Sequence, residues 1–396
     1  MKIAFLTAGG LAPCLSASIA ALIESYKRAK ISADFIGYLN GYQGLLNQKT
    51  YDFPPNAIKK VDMLYSFGGS IIGNSRVKLT NVEDCKKRGL VSKGESPLNK
   101  AAETLMKDGV DVLHTIGGDD TSTMAAHLSW FLKENGYDMS VIGMPKTVDN
   151  DIIPIVHSLG ADTAAEQGAI FFENVVNENT ASSRNLIIHE VMGRHCGWLT
   201  AATAKKYRDR LAKRSFSSEI LLHRLNWDID AVYLPEMEIN LEEEGIRLLK
   251  KMDQKGCVNI FLSEGACVNE IVSEMERMGK DIQRDAFEHI RLDDINPGQW
   301  FANQFSKSIN AEKTLVQKSG YFSRSASPNN FDINLIKESA SLAVQSVLDS
   351  KSGIIGMDSE NGGILSLIEF ERIKGGRVFA PETKWFKDML IEIGQL

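Results

Sequence analysis

Thr115-Ile116-Gly117-Gly118-Asp119-Asp120-Thr121 is the stretch whose reading decides the fold. The apolar segment before it, Gly109 to Ile116, predicts a buried strand. The spacing after it, Thr121 to Lys133, predicts a helix with Thr121 at its cap. A strand that ends in two glycines and opens onto a helix N-terminus is an anion site. The glycines let backbone N–H groups approach a phosphate, and the helix dipole favours negative charge there. This turn also carries two adjacent carboxylates, which repel a phosphate unless a divalent cation lies between them or a lysine balances them.

The chain has 396 residues, enough for two domains, with 43% hydrophobic and 24% charged residues, so a full core is expected. A formal net charge of −6 argues against nucleic-acid and membrane partners, which want a basic face. No stretch approaches the ~18 apolar residues of a membrane span. Met1 to Thr7 runs straight into Gly9-Gly10 and reads as a first strand, not a signal peptide. Five scattered cysteines (14, 85, 196, 257, 267) have no metal or disulfide spacing, which suits a reducing cytoplasm.

Strand and helix patterns alternate along the chain. Strands are expected at Lys2 to Thr7, Asp34 to Tyr38, Ser140 to Met144, Asn185 to Val191 and Val258 to Ser263. Helices are expected at Ser16 to Arg28, Pro97 to Lys107, Asp162 to Val176, Gly197 to Tyr207, Leu241 to Asp253 and Asp332 to Asp349. The alternation predicts an α/β fold with mostly parallel sheets and helices on both faces. Ligands in such folds bind beyond the carboxyl ends of strands, and the informative motifs all fall immediately after expected strands.

Three motifs join the opening stretch. Thr7-Ala8-Gly9-Gly10 follows the first strand and reads as a phosphate-cradling turn, or as an ordinary tight turn. Met144-Pro145-Lys146-Thr147-Val148-Asp149-Asn150-Asp151 offers a cation, a hydroxyl and two carboxylates. Phosphoryl transfer needs a cation on the transferring group and a base for the attacking hydroxyl. The alternative is a solvated polar loop. Met192-Gly193-Arg194-His195 joins a strand to a helix; Arg194 can clamp a phosphate bidentately or serve a surface ion pair. His195 reads more readily as a packed or capping side chain than as a catalyst.

In their order and spacing these four motifs resemble the phosphofructokinase family, over nearly the whole chain. The resemblance implies two Rossmann-like three-layer domains, with the active site in the cleft between them. Residues 1–160 would carry the phosphoryl donor and 161–396 the sugar phosphate, part of the C-terminal segment returning to the first half. It implies phosphoryl transfer to the 1-hydroxyl of fructose 6-phosphate. ATP-using members have glycine after Gly-Gly-Asp and glycine after the proline of the base segment. Asp120 and Lys146 stand there in this chain, as in pyrophosphate-dependent members. Asp120 would lie where the α-phosphate of ATP must go. At ~4 Å, like charges cost about 1 kcal/mol in water and about 4 at an effective dielectric of roughly 20.

The same resemblance implies the roles. Asp119 holds Mg²⁺, Asp120 excludes ATP, Lys146 stabilises the transferring group and Asp149 accepts the proton of the sugar hydroxyl, which Thr147 and Asp151 position. Gly10 and Arg76 contact the donor. Met192, Gly193, Arg194 and Glu264 bind the sugar, and Tyr321 and Arg324 its 6-phosphate. Arg184, His289 and Arg291 fit the family spacing imperfectly and receive no role. A homodimer or homotetramer in the cytoplasm is expected. The rival readings are an ATP-dependent phosphofructokinase, an NAD or diacylglycerol kinase with a similar acidic turn, and a sugar-phosphate sensor on the same fold.

Overall fold

The computed structural model describes residues 1–279 and 292–396. They divide into two compact units, Met1–Thr163 with Arg324–Arg377, and Ala164–Ser323 with Val378–Leu396. The chain thus leaves the first unit inside the first turn of the helix Ala161–Val175 and returns to it after Ser323.

The first unit is built on seven strands: β1 (Lys2–Thr7), β2 (Asp34–Tyr38), β3 (Thr50–Asp52), β4 (Val112–Gly117), β5 (Ser140–Pro145), β10 (Gly353–Asp358) and β11 (Ile364–Ile368). The order across the sheet is β11-β10-β5-β4-β1-β2-β3. The central pairs are parallel, and only the outer strands β3 and β11 run antiparallel to their neighbours. β1 and β4 are almost wholly buried, and a parallel strand covered on both faces must be apolar along its length. The polar residues in β4 are Thr115 and His114, and His114 is tied to Tyr26 Oη at 2.7 Å. Burial pulls its pKa down to about 3, so it is neutral.

The helix Asp119–Glu134 departs from the expected start at Thr121. Its cap is Gly118, in extended geometry, and both aspartates lie in the first turn, where the helix dipole favours them. Thr121 instead packs on Gly117, where an added Cβ would stand 2.2 Å from its Oγ1.

The second unit carries β6 (Asn185–Val191), β7 (Ala231–Tyr233), β8 (Cys257–Ser263) and β9 (Lys313–Lys318), all parallel, in the order β7-β8-β6-β9. β6 and β8 are buried throughout. The helix Leu241–Lys255 shows how local sequence sets its ends. Asn240 caps it by accepting from the Glu242 and Glu243 N–H groups, three glutamates fill its first turn, and Gly256 ends it at φ 74°. The C-terminal segment supplies β10 and β11 at one edge of the first sheet.

Candidate active site

Three of the motifs meet at the carboxyl edge of the first sheet. Thr7 stands opposite Ile116, and Ile116 opposite Met144. The chain goes from β1 to β2 on one side and comes back at β4 on the other. At such a switch point the loops diverge and leave a crevice. Backbone bonds hold the loops side by side: Ala8 N–H donates to Ile116 O at 3.0 Å and Lys146 N–H to Gly117 O at 2.8 Å.

Lys146 is central to this edge. Its side chain is 4% exposed, and its Nζ donates to the Gly10 carbonyl at 2.6 Å. Burial lowers its pKa, and Arg76 adds to that, while Cys14, Asp149 and Asp151 oppose it. An ammonium has three donors, and Gly10 O is its one hydrogen-bond acceptor among the described residues. Two N–H groups of a buried cation therefore remain for an anion. Space for one exists, because a Cβ on Gly10 would meet nothing within 4 Å. Asn74 braces the turn by donating to Gly9 O at 3.3 Å and Gly10 O at 3.4 Å. Gly9 N–H donates to Ser75 O at 2.9 Å, which sets the exposed Arg76 beside the same turn.

Asp119 is half-buried, and burial raises its pKa. The Asp120 and Asp151 carboxylates push the same way, against the Asp120 backbone N–H and Lys78. Asp120 is exposed and paired with Lys78 at 2.8 Å. In the base segment, Thr147 Oγ1 accepts from Asp149 N–H at 3.2 Å. Asn150 is left-handed at φ 55°, and its buried amide donates to Val156 O at 2.9 Å and accepts from Ser158 N–H at 2.8 Å. This staple closes the loop that presents Asp149 and Asp151.

In the second unit, Met192, Gly193, Arg194, Glu264 and Tyr321 follow the carboxyl ends of neighbouring strands, Val191 opposite Ser263 and Glu190 opposite Lys318. Gly193, at φ 128°, donates its N–H to Glu264 Oε1 at 3.3 Å. Burial raises the Glu264 pKa, against that N–H and the nearby Arg194 and Lys318. A Cβ on Gly265 would stand 1.9 Å from Arg194 O, so the two loops are packed backbone to backbone. Arg194 and His195 line a cavity of about 690 Å³ with Glu236, Glu238, Asn269 and Glu270. Tyr321 is exposed on the short helix Gly320–Arg324; Arg324, at its end, belongs to the first unit. Arg184 is held inside the second unit by Asp253 at 2.9 Å and by the Asn310 and Ile309 carbonyls. His289 and Arg291 lie outside the described residues.

Sequence reasoning missed Asn74, Lys78 and Asn150. Asn150 left a signal, since an asparagine between two aspartates is a common left-handed turn residue. The pairing of Lys78 with Asp120 bridges more than forty positions and leaves no periodic trace.

A mostly parallel α/β chain with glycine turns at the switch point of its sheet falls in the class of folds that hold phosphates at strand ends. More narrowly, it belongs to the phosphofructokinase family: the profile described as Phosphofructokinase matches residues 2–347. The chain is 57% identical over 394 residues to a Methylomonas methanica protein named pyrophosphate–fructose 6-phosphate 1-phosphotransferase, covering 100% of this chain and 96% of the relative. A Mastigamoeba balamuthi protein of the same name is 54% identical, covering 99% of this chain and 96% of the relative. The crystal structure of a pyrophosphate-dependent phosphofructokinase from Marinobacter aquaeolei matches at TM-score 0.71 and 18% identity, covering 99% of this chain and 91% of that one; this likeness carries the fold alone.

Proposed function

We propose that this protein catalyses the reversible transfer of a phosphoryl group from pyrophosphate to the 1-hydroxyl of fructose 6-phosphate, giving fructose 1,6-bisphosphate and phosphate. The observation that carries the reading is Lys146: a buried ammonium, 2.6 Å from Gly10 O, with spare donors beside an open glycine turn. Relatives more than half identical over the whole chain bear the corresponding name.

Asp149 takes the proton of the sugar 1-hydroxyl as its oxygen attacks phosphorus. The bond from that phosphorus to the bridging oxygen breaks, and phosphate leaves with the electron pair. Lys146 offsets the charge on the transferring and leaving groups, and Thr147 and Asp151 position the hydroxyl. Gly10 N–H and Arg76 hold the donor. Met192, Gly193, Arg194 and Glu264 bind the sugar, and Tyr321 and Arg324 its 6-phosphate.

Mg²⁺ fits the acidic turn. Among the described residues no three His, Cys, Asp or Glu side chains cluster as a full protein cage. Mg²⁺ commonly takes only one or two carboxylates, with phosphate oxygens and waters completing the shell. Asp119, half-buried with Asp120 and Asp151 nearby, is the residue that would hold it. When bound, the ion neutralises charge on the donor oxygens.

Asp120 blocks the nucleotide. Because Lys78 pairs with it, the exclusion depends more on occupied space than on repulsion.

A homo-oligomer is supported by the exposed apolar run of Ile220, Leu221 and Leu225, which a second copy would cover. A reducing cytoplasm is supported by five cysteines without a disulfide.

The reverse reaction tests the chemistry by phosphorus NMR. Fructose 1,6-bisphosphate, phosphate and Mg²⁺ should yield a pyrophosphate signal. A protein that binds both substrates but forms no pyrophosphate would instead be a sensor.

A further inference from the structure

We propose that Gly375 is a positioning residue for the Asp119 carboxylate, and that the strap carrying it sets how tightly the protein takes a divalent cation together with pyrophosphate. The proposal rests on the functional reading above.

The strap is the run Ile373 to Arg377, which lies against the base segment. Ile153 and Lys374 exchange both backbone hydrogen bonds, at 2.7 and 3.0 Å. Arg377 N–H donates to Asp151 O at 2.9 Å, and its guanidinium to Ile155 O at 2.6 Å. The strap is therefore tied to the loop that presents Asp149 and Asp151. Between these ties Gly375 passes directly over Asp119. A Cβ on Gly375 would stand 2.0 Å from Asp119 Oδ2, 2.8 Å from Cγ and 3.0 Å from Cβ.

Closeness, not backbone geometry, demands the glycine. Gly375 is not among the positive-φ glycines, so an L residue could adopt its backbone. Its neighbour Gly376 is the reverse case, at φ 81° with nothing within 4 Å of an added Cβ. Turning the Asp119 carboxylate would relieve the contacts with Oδ2 and Cγ but not the one with Cβ. An alanine at 375 must therefore move the carboxylate, the strap, or both. Bare backbone pressed against one face of Asp119 limits the rotamers it can adopt and leaves its other face for a cation.

The test uses Gly375→Ala, Lys374→Ala and Asp119→Asn in the full-length protein. Mn²⁺ binding with pyrophosphate is followed by electron paramagnetic resonance, fructose 6-phosphate binding by calorimetry, and folding by thermal melting. Gly375→Ala should weaken Mn²⁺ at least ~10-fold, the usual scale for a residue that orients a metal ligand, and leave sugar affinity within ~2-fold. Lys374→Ala, at an exposed position whose ties to Ile153 are made by backbone alone, should keep the wild-type Mn²⁺ affinity. If Gly375→Ala binds Mn²⁺ like wild type while Asp119→Asn loses it, the role of Gly375 is overturned and the functional reading stands. If Asp119→Asn also binds normally, the metal role of Asp119 falls, and this proposal with it. Should Gly375→Ala melt early, Asp119→Ala in the same chain should restore most of the melting temperature. An unrelieved loss overturns the proposed contact.

Discussion

Lys146→Met removes a charge while nearly conserving volume, and its consequences can be worked out from where the ammonium sits. At about 4 Å and an effective dielectric of roughly 20, opposite unit charges attract by about 4 kcal/mol. Each ~1.4 kcal/mol is tenfold in rate, so kcat should fall about 10³-fold if Lys146 stabilises the transferring group. The fold should respond in the opposite sense. Lys146 is 4% exposed, and burial lowers its pKa from the ordinary 10.5. Below the folded pKa both states carry the proton, and the native state bears the full cost of a buried cation. As pH rises through that lowered value the native protein sheds the proton first and the cost shrinks, until the unfolded lysine titrates near 10.5. The variant should therefore melt above wild type at pH 7, and its advantage should narrow as pH rises toward 10.5. The assays are steady-state turnover with pyrophosphate and thermal melts from neutral to alkaline pH. A variant that keeps kcat within ~10-fold, or one whose stability difference does not change with pH, refutes the account of this buried cation.

Asp149→Ser should lower kcat by at least ~100-fold, the usual scale for a lost general base, with little change in the KM for fructose 6-phosphate. A near-normal kcat removes Asp149 from that role. Asp120→Gly should weaken pyrophosphate use by itself and, combined with Lys146→Gly, admit ATP. If calorimetry finds no ATP binding to the double variant, other side chains also fill the nucleotide's space. Asp332 accepts from Gly160 N–H at 3.0 Å, Thr163 N–H at 2.8 Å and Thr163 Oγ1, all buried. Asp332→Ala leaves those donors unmet and should cost about 3 kcal/mol in urea unfolding; a loss under ~1 kcal/mol means the network is not a structural tie.

The architecture was legible because parallel strands buried on both faces read as mainly apolar runs, as β4, β5 and β8 do, along with Leu186-Ile187-Ile188 in β6. The site was legible in part for the same reason: its loops follow strand ends, so a motif after a strand already points to the sheet's carboxyl edge. The connections between loops were not. Lys146 meets Gly10 across 136 positions, a contact created by strand order and not by spacing. Lys78 lies in an irregular segment with no periodicity to place it against Asp120. Thr121 looked like a cap because its residue type caps helices well, yet Gly118 had already started the turn. Gly375 reads as half of an ordinary Gly-Gly turn, and only the packed backbone reveals which of the pair is there for space.

The central claim is the identity of the donor. Turnover of fructose 6-phosphate with Mg²⁺ should be measured in parallel with pyrophosphate and with ATP. The account predicts strong formation of fructose 1,6-bisphosphate with pyrophosphate and essentially none with ATP. Strong turnover with ATP and none with pyrophosphate would contradict it.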